Sequence, residues 1–436
     1  MRLIAVGAAI TIAPALGFAQ QAPTAPAPAT PGFGFSGTIF GSFGYKTDSA
    51  SKAQLGGSNP NAFNLDRVYL TYRMPAGDNG SVRVTTDIFQ NTNPAQNPYY
   101  QGWVVRLKYA YLDYTGLRNE FGAGSSLTGR IGLLHTVLID HEESFWPRYL
   151  QQTGIEKNGF FSSSDAGAAA LMTLGNKWGE IYGTVTNGSG YSSYDNPGTT
   201  GQGVANNRFK DFGLRASLTP FANQPTMTNV IRYLTITPWV YKGYNASAFQ
   251  SGGTGQVGPG TNGAITDGLK RDRYGIFAAI KDTSSCDFRN GGRCRFSLGG
   301  DFAQRTDASD NGGNTAASPR VVHDSTGRLI DGFVFVRPLE LFDKTQKSPF
   351  SIVARWDHWT PNTDPSSSIP NAAGYAGTTP AYNFYVLGAS WDVNQRMTFT
   401  ADYQNQSPTN FPTPTGTNVK PTPQATTMFL HFVVNF

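Results

Sequence analysis

From Phe33 onward, apolar and polar residues alternate with a period of two, in short segments closed by Gly, Pro, Asn, Asp or Ser. In Thr426–Phe436, Met428, Leu430, Phe432, Val434 and Phe436 share one face, and Thr427, His431 and Asn435 share the other. In Phe63–Met74, Val68, Leu70 and Tyr72 oppose Arg67, Thr71 and Arg73. In Cys294–Gln304, Phe296, Leu298 and Phe302 oppose Arg295, Ser297 and Asp301. Met397, Phe399 and Tyr403 oppose Arg396, Thr398, Thr400 and Asp402. Side chains of a strand point alternately to its two faces, so each segment has an apolar side and a wet side. Helical spacing is scarce.

The remaining strands are expected at Gly34–Tyr45, Ser81–Phe89, Trp103–Tyr114, Leu127–His135, Asp165–Leu174 and Trp178–Asn187. They continue at Phe209–Leu218, Val230–Lys242, Arg271–Lys281, Gly332–Leu339, Phe350–Trp359 and Asn383–Asp392. With Arg396–Asn405 this makes about sixteen segments of roughly 9–13 residues, the length of a tilted strand that crosses a bilayer. Both faces of Val230–Lys242, Gly332–Leu339 and Asn383–Asp392 carry apolar residues, so their registers stay open. Connections after odd-numbered strands are long, such as Thr136–Ser164 and Gly243–Lys270. Those after even-numbered strands include the tight turns Pro75–Gly80, Gly175–Lys177 and Val393–Gln395. Bacterial outer-membrane barrels alternate in this way between external loops and periplasmic turns. The fold expected for residues 33–436 is therefore an all-β, sixteen-stranded antiparallel transmembrane barrel in the outer membrane. Lipid and lipopolysaccharide would surround it, and both termini would be periplasmic.

The start of the chain reads differently. Met1-Arg2 is followed by an apolar run from Leu3 to Leu16 and by Gly17-Phe18-Ala19, the pattern of a secretory signal cleaved after Ala19. Residues 20–32 are an Ala/Pro-rich stretch that cannot pack a core and reads as a periplasmic linker.

Composition narrows the class further. Charged residues are only 14% of the chain and aromatics are 13%, which argues against a disordered chain or a coiled coil. After the first twenty residues no apolar run approaches the length of a spanning helix. A soluble sandwich would use shorter strands, and a propeller would show a repeat. Trp103, Tyr109, Tyr111, Trp239, Tyr241, Trp356, Trp359 and Trp391 are expected as an interfacial girdle on the lipid side. The cysteines Cys286 and Cys294 share one short segment, and an oxidising compartment favours a disulfide between them.

A sixteen-stranded barrel is too wide for side chains to fill, so its inward residues decide what passes. The basic inward set is expected to include Arg67, Arg73, Arg83, Arg106, Lys108, Arg130, Arg215, Arg271, Arg273, Lys281, Arg295, Arg305, Arg355 and Arg396. Asp87, Glu180, Asp211, Asp301, Asp357 and Asp402 are the acidic members. Basic rings suit an anion pore, and the planar fork of Arg suits phosphate or carboxylate. The connection after the fifth strand is rich in Phe, Trp and Tyr and is expected to fold into the lumen. It would bring Asp140, His141, Glu142, Glu143 and Arg148, with Glu156 and Lys157, to a constriction. Adjacent carboxylates there lack metal-ligand spacing, so no metal is expected. Gly253–Gly258 fits G-x-G-x-x-G but sits in a Gly/Ser loop, without the strand and helix a dinucleotide site needs. No cofactor and no nucleic-acid partner is expected. The reading is a non-enzymatic porin passing small hydrophilic solutes. A barrel enzyme of the phospholipase kind and a surface adhesin are the alternatives.

The runs FNLDRVYLTYRMP (Phe63–Pro75), KYAYLDY (Lys108–Tyr114), GRIGLLHTVLIDHEESFWPRYL (Gly129–Leu150), SSDAGAAAL (Ser163–Leu171) and TNGSGY (Thr186–Tyr191) occur in that order. In these runs the chain resembles the phosphate-selective porin O and P family over about the first half of its mature length. The resemblance implies a homotrimer of sixteen-stranded channels with an arginine-lined route and an infolded third loop. Arg67, Arg73, Lys108 and Arg130 match basic or strand-framing positions of its motifs. Here the loop carries Asp140, Glu142, Glu143 and Glu156 and is net acidic, where phosphate-selective members present Arg and Lys.

The leader yields a direct expectation. N-terminal sequencing of protein extracted from outer membranes should begin at Gln20, and a chain still starting at Met1 would overturn the assignment.

Overall fold

The structure is a computed structural model that describes residues 33–90, 102–191, 210–224, 231–246, 268–283, 285–310, 322–343, 345–363, 381–409 and 425–436. The leader (1–19), the linker (20–32) and Gly253–Gly258 lie outside the described residues.

The described strands are β1 (Gly34–Lys46), β2 (Asn61–Pro75), β3 (Gly80–Gln90), β4 (Trp103–Arg118), β5 (Ser126–His135), β6 (Ser164–Leu174), β7 (Gly179–Thr186) and β8 (Asp211–Leu218). They continue as β9 (Thr235–Ala246), β10 (Gly268–Lys281), β11 (Phe296–Asp310), β12 (Val322–Val336), β13 (Phe350–Thr360), β14 (Tyr382–Asn394), β15 (Met397–Pro408) and β16 (Ala425–Asn435). Each pairs antiparallel with its sequence neighbours, and β1 closes on β16. The barrel is thus a closed, sixteen-stranded transmembrane β-barrel. In hydrocarbon an unpaired backbone group has no water to bond, so a sheet can span only if it has no edge. The chain end completes the seam. Gly37 N–H donates to the Phe436 carbonyl at 2.8 Å, and Phe436 N–H donates to the Gly37 carbonyl at 3.0 Å. The Phe436 ring covers the space where a Cβ of Gly37 would stand.

Short helices decorate the connections: α1 (Ser49–Gln54), α2 (Ile139–Glu142) and α3 (Gly154–Lys157) at or inside the long-loop end, and α4 (Pro338–Phe342) at the short-turn end. The outward positions are apolar and uncovered, as Val105, Leu112, Ile131, Leu214 and Leu387 illustrate. Trp103, Trp356 and Trp391 are also exposed on this side.

Two expectations are corrected. The twelfth strand starts at Val322 rather than Gly332, because the polar stretch from Val322 pairs with the equally polar end of β11. The ninth starts at Thr235 rather than Val230. The second correction concerns the girdle. Tyr109, Tyr111, Trp239, Tyr241 and Trp359 point inward and are buried. On β4 the cause is a bulge. Thr85 pairs with Tyr109 and Thr86 with Leu107, so the face switches at Lys108, and Arg106, Lys108, Tyr109 and Tyr111 all look inward. On β9 and β13 the cause is a loop that fills the lumen and gives inward aromatics an apolar partner.

β5 is only ten residues long and bends at Gly132, whose φ is +128°. A Cβ there would run into the Ala110 carbonyl, whereas one at Gly129 would lie 4.0 Å from its nearest neighbour. Gly132→Ala should therefore destabilise the barrel by about 1–3 kcal/mol while Gly129→Ala does not. Thermal loss of the compact SDS-gel mobility reads this, and equal melting of the two variants would refute it.

Candidate functional site

The lumen is asymmetric because the β5–β6 connection, residues 136–163, turns inside the barrel and lies against one side of it. This inner loop buries Val137, Leu138, Ile139, Phe145, Ile155, Phe160 and Phe161 on an inner wall made of Trp239, Tyr241, Phe277, Ala279, Ala303, Leu329 and Trp359. Burying seven apolar side chains at about 1.5–3 kcal/mol each outweighs any single polar contact of the loop. Polar contacts then fix its position. Ser297 Oγ donates to the Phe145 carbonyl at 2.8 Å, and Arg305 donates to the Asn158 and Gly159 carbonyls at 2.8 Å. Tyr149 Oη lies 2.9 Å from Thr400 Oγ1, and Gln404 Nε2 donates to the Leu150 carbonyl at 3.1 Å. Thr153 Oγ1 caps α3 by accepting from Glu156 N–H. The loop is therefore pinned along β9–β15, and open space remains beside it, most of it against β1–β8.

Among the described residues that space includes two cavities of about 680 Å³ and 570 Å³. The first is bordered by β1–β4 and, across the barrel seam, by β14–β16, and the second mainly by β5–β9 with Arg73 and Arg83. Six of the expected basic residues come together on this side. Arg67 and Arg106 share Asp87, at 2.6 and 2.9 Å, and both guanidinium groups lie over the Phe89 ring. Arg130 forks onto Asp113 at 2.6 and 2.9 Å. Lys108 is buried with its ammonium 4.3 Å from the Tyr69 ring centre. Arg73 and Arg83 stand directly opposite each other on β2 and β3. Arg83 reaches His135 at 3.1 Å and lies over Tyr109. Arg73, Arg83 and Lys108 have no carboxylate partner among the described residues. Like charges directly opposed across a ladder repel, so Arg73 and Arg83 are a concentrated positive spot.

The other expected basic residues are placed elsewhere. Arg215 bonds Glu180 at 2.5 Å at the edge of the second cavity. Arg271 pairs with Asp211 at 3.2 Å and Arg273 with Asp307 at 2.8 Å, on β10. Lys281 lies over the Phe145 ring. Arg355 is not on the open side: it forks onto Asp357 at 2.6 Å behind the inner loop. Arg295 precedes β11 and pairs with Asp282 at 2.9 Å, while Arg396 is exposed in the β14–β15 turn. Neither belongs to the wall.

The loop residues divide as well. Asp140, Glu143 and Arg148 border the first cavity. Arg148 bonds both Glu143 and Glu156. Asp140 lies 3.2 Å from His135 and 2.6 Å from Arg289. Burial alone would raise its carboxyl, but His135, Arg289, Arg83 and Arg130 hold it well below the ordinary carboxylate range. Glu142 faces the wall instead, and His141 lies between the wall and the second cavity. His141 sits 3.1 Å from Thr237 and packs edge-on to Phe145 and Phe277. Glu142 shares a small cavity with Asp301, Asp331 and Arg355.

Cys286 and Cys294 are joined, and their disulfide packs against Trp146 and Leu150 of the inner loop. Arg289, Arg293, Arg337 and Lys347 also border the first cavity, and sequence reasoning missed them. They lie in turns or at strand ends, where alternation carries no signal. For Arg289 and Arg293 the available hint was their place between the two cysteines.

No family model and no curated protein matches the chain. Solved structures do, over 93% of it. They include the anion-selective porin from Comamonas acidovorans (10% identity, TM-score 0.52, 99% of that chain covered). OmpF of Salmonella typhi in complex with daunomycin is similar at 10% identity, with a TM-score of 0.54 and 97% of that chain covered. OprB of Pseudomonas putida, in a high-pH structure, gives 12% identity, a TM-score of 0.56 and 94% coverage. At these identities the shared property is the porin fold.

Glu142 supplies a pH expectation. Burial, with the Asp331 carboxylate beside it, pushes its carboxyl well above the ordinary value. The folded chain then keeps a proton that the unfolded chain has released above about pH 4.3, so stability falls as pH rises from there to the folded pKa. Glu142→Gln should melt higher than wild type at about pH 8 and vary less down to about pH 5, measured by circular dichroism. Parallel pH profiles for the two proteins would refute this.

Proposed function

We propose that the protein is an outer-membrane diffusion channel for small hydrophilic solutes with a preference for anions, phosphate and small carboxylates among them. The short-turn end and the termini face the periplasm in this reading, and three copies assemble side by side. The observation that carries the preference is the basic wall on β2–β5. Arg73, Arg83 and Lys108 face the larger cavity without a carboxylate partner, and Arg67 and Arg106 share one. The acidic loop offsets this wall only in part: Glu143 and Glu156 share the one charge of Arg148, and Asp140 is paired with Arg289. A fixed positive excess beside low-dielectric walls raises the local concentration of anions and favours their passage. The anion-selective porin among the similar structures has the same fold and adds support at that level.

Purified protein in a planar bilayer under a KCl gradient should show a zero-current potential on the chloride side. Arg73→Gln combined with Arg83→Gln should lower the anion-to-cation permeability ratio about twofold or more. A potassium-side potential for wild type would overturn the anion preference. Absence of conductance would overturn the channel.

A further inference from the structure

The β10–β11 connection, residues 282–295, belongs to the short-turn end, yet it rises into the lumen. Its disulfide lies in one apolar cluster with Trp146, Leu150, Phe335 and Val353. The Phe288 ring stacks edge-on to Phe335 at 4.9 Å, and Phe288 N–H donates to the Ser144 carbonyl at 3.3 Å. From this platform Arg289 reaches across to the inner loop. Nη1 donates to Asp140 Oδ2 at 2.6 Å and to the Asp140 carbonyl at 3.1 Å. Nε and Nη2 are occupied by Asp287, at 2.9 and 2.6 Å. The guanidinium is thus held by its own turn in an orientation that serves Asp140. The two lumen cavities meet at this pair: both are bordered by Arg73, Arg83, Asp140 and Arg289. The pair is in contact with the lumen, at 34% and 21% side-chain exposure, so it stands in the route rather than beneath it.

Given a conducting lumen as read above, we propose that Asp140 and Arg289 form a crossbar that divides the passage and sets its size limit and part of its charge selectivity. The stapled turn is what carries Arg289 to that place. A short periplasmic turn would not reach the inner loop, and the eight-residue separation of Cys286 and Cys294 keeps the longer segment folded upward. Breaking the pair joins the two cavities and also uncovers one charge. Removing Arg289 leaves the Asp140 and Asp287 carboxylates without its charge, and removing Asp140 leaves the guanidinium with Asp287 alone. A loop that merely loosened would shift selectivity the same way in both cases.

The test compares wild type, Arg289→Ala and Asp140→Ala in planar bilayers, each first shown to be folded by its compact SDS-gel mobility. Single-channel conductance should rise about 1.5-fold or more in both variants. The zero-current potential in a KCl gradient should move toward potassium for Arg289→Ala and toward chloride for Asp140→Ala. Arg289→Lys, which keeps one donor toward Asp140, should return conductance toward the wild-type value. If one alanine variant fails to fold, the other, with Cys286→Ser combined with Cys294→Ser, reads the same rise in conductance. A conducting wild type whose folded variants keep its conductance and selectivity overturns the crossbar and leaves the channel standing. Folded proteins that all carry no current overturn both. A silent wild type with a conducting Arg289→Ala supports the crossbar as a closed gate.

Discussion

A sheet in hydrocarbon must leave no backbone group unpaired, and the rest of this molecule follows from meeting that demand with sixteen strands. Closure through β1 and β16 removes every edge, with Phe436 bonded in both directions to Gly37. A ring of this size encloses more space than its inward side chains can fill. The inner loop occupies part of that space, and its seven buried apolar side chains require an inner wall that is itself apolar. The chain therefore builds two kinds of lumen surface on one barrel. β9–β13 present Trp239, Phe277, Ala303 and Leu329 to the loop, and β2–β5 present arginine to water.

Charge follows the same division. Behind the loop a charged group has lost its water, so a lone ion would be costly and Arg355 is forked onto Asp357 with both side chains buried. On the open side carboxylates serve some of the arginines, Asp87 for Arg67 and Arg106 and Asp113 for Arg130. Arg73 and Arg83 face each other there without a carboxylate, an arrangement tolerable only beside water or an anion. The loop acids that border the same space, Asp140 and Glu143, are each bonded to an arginine. Arginine–carboxylate pairs thus occur on both sides of the lumen, and the opposed arginines without a carboxylate among the described residues, Arg73 and Arg83, stand on the open one.

Much of this was legible in the primary sequence. Period-two alternation located all sixteen strands, several to within one or two residues, because lipid and water impose opposite demands on successive side chains. The same alternation placed Arg67, Arg73, Arg83 and Arg130 on the wet face, and the aromatic content of residues 136–163 pointed to an inner loop. Alternation misled at two kinds of place. A bulge at Lys108 shifts the face without leaving a mark in the hydrophobic pattern, and so Tyr109 and Tyr111 turned inward. Trp239, Tyr241 and Trp359 were assigned to lipid because a solvated lumen was assumed, whereas a covered lumen wall is as apolar as a membrane face.

The sequence by itself determined the class of fold, the strand order and the predominance of arginine over carboxylate on the inward face. These depend on local periodicity, which each strand carries independently of the others. Only the tertiary structure decided which arginines share a space, that Arg355 lies behind the loop beside Glu142, and that Arg289 meets Asp140. Those contacts join residues far apart in the chain across a closed ring, as the 149-residue separation of Arg289 and Asp140 shows. Strand register, loop seating and the disulfide together set them, and no single segment contains that information.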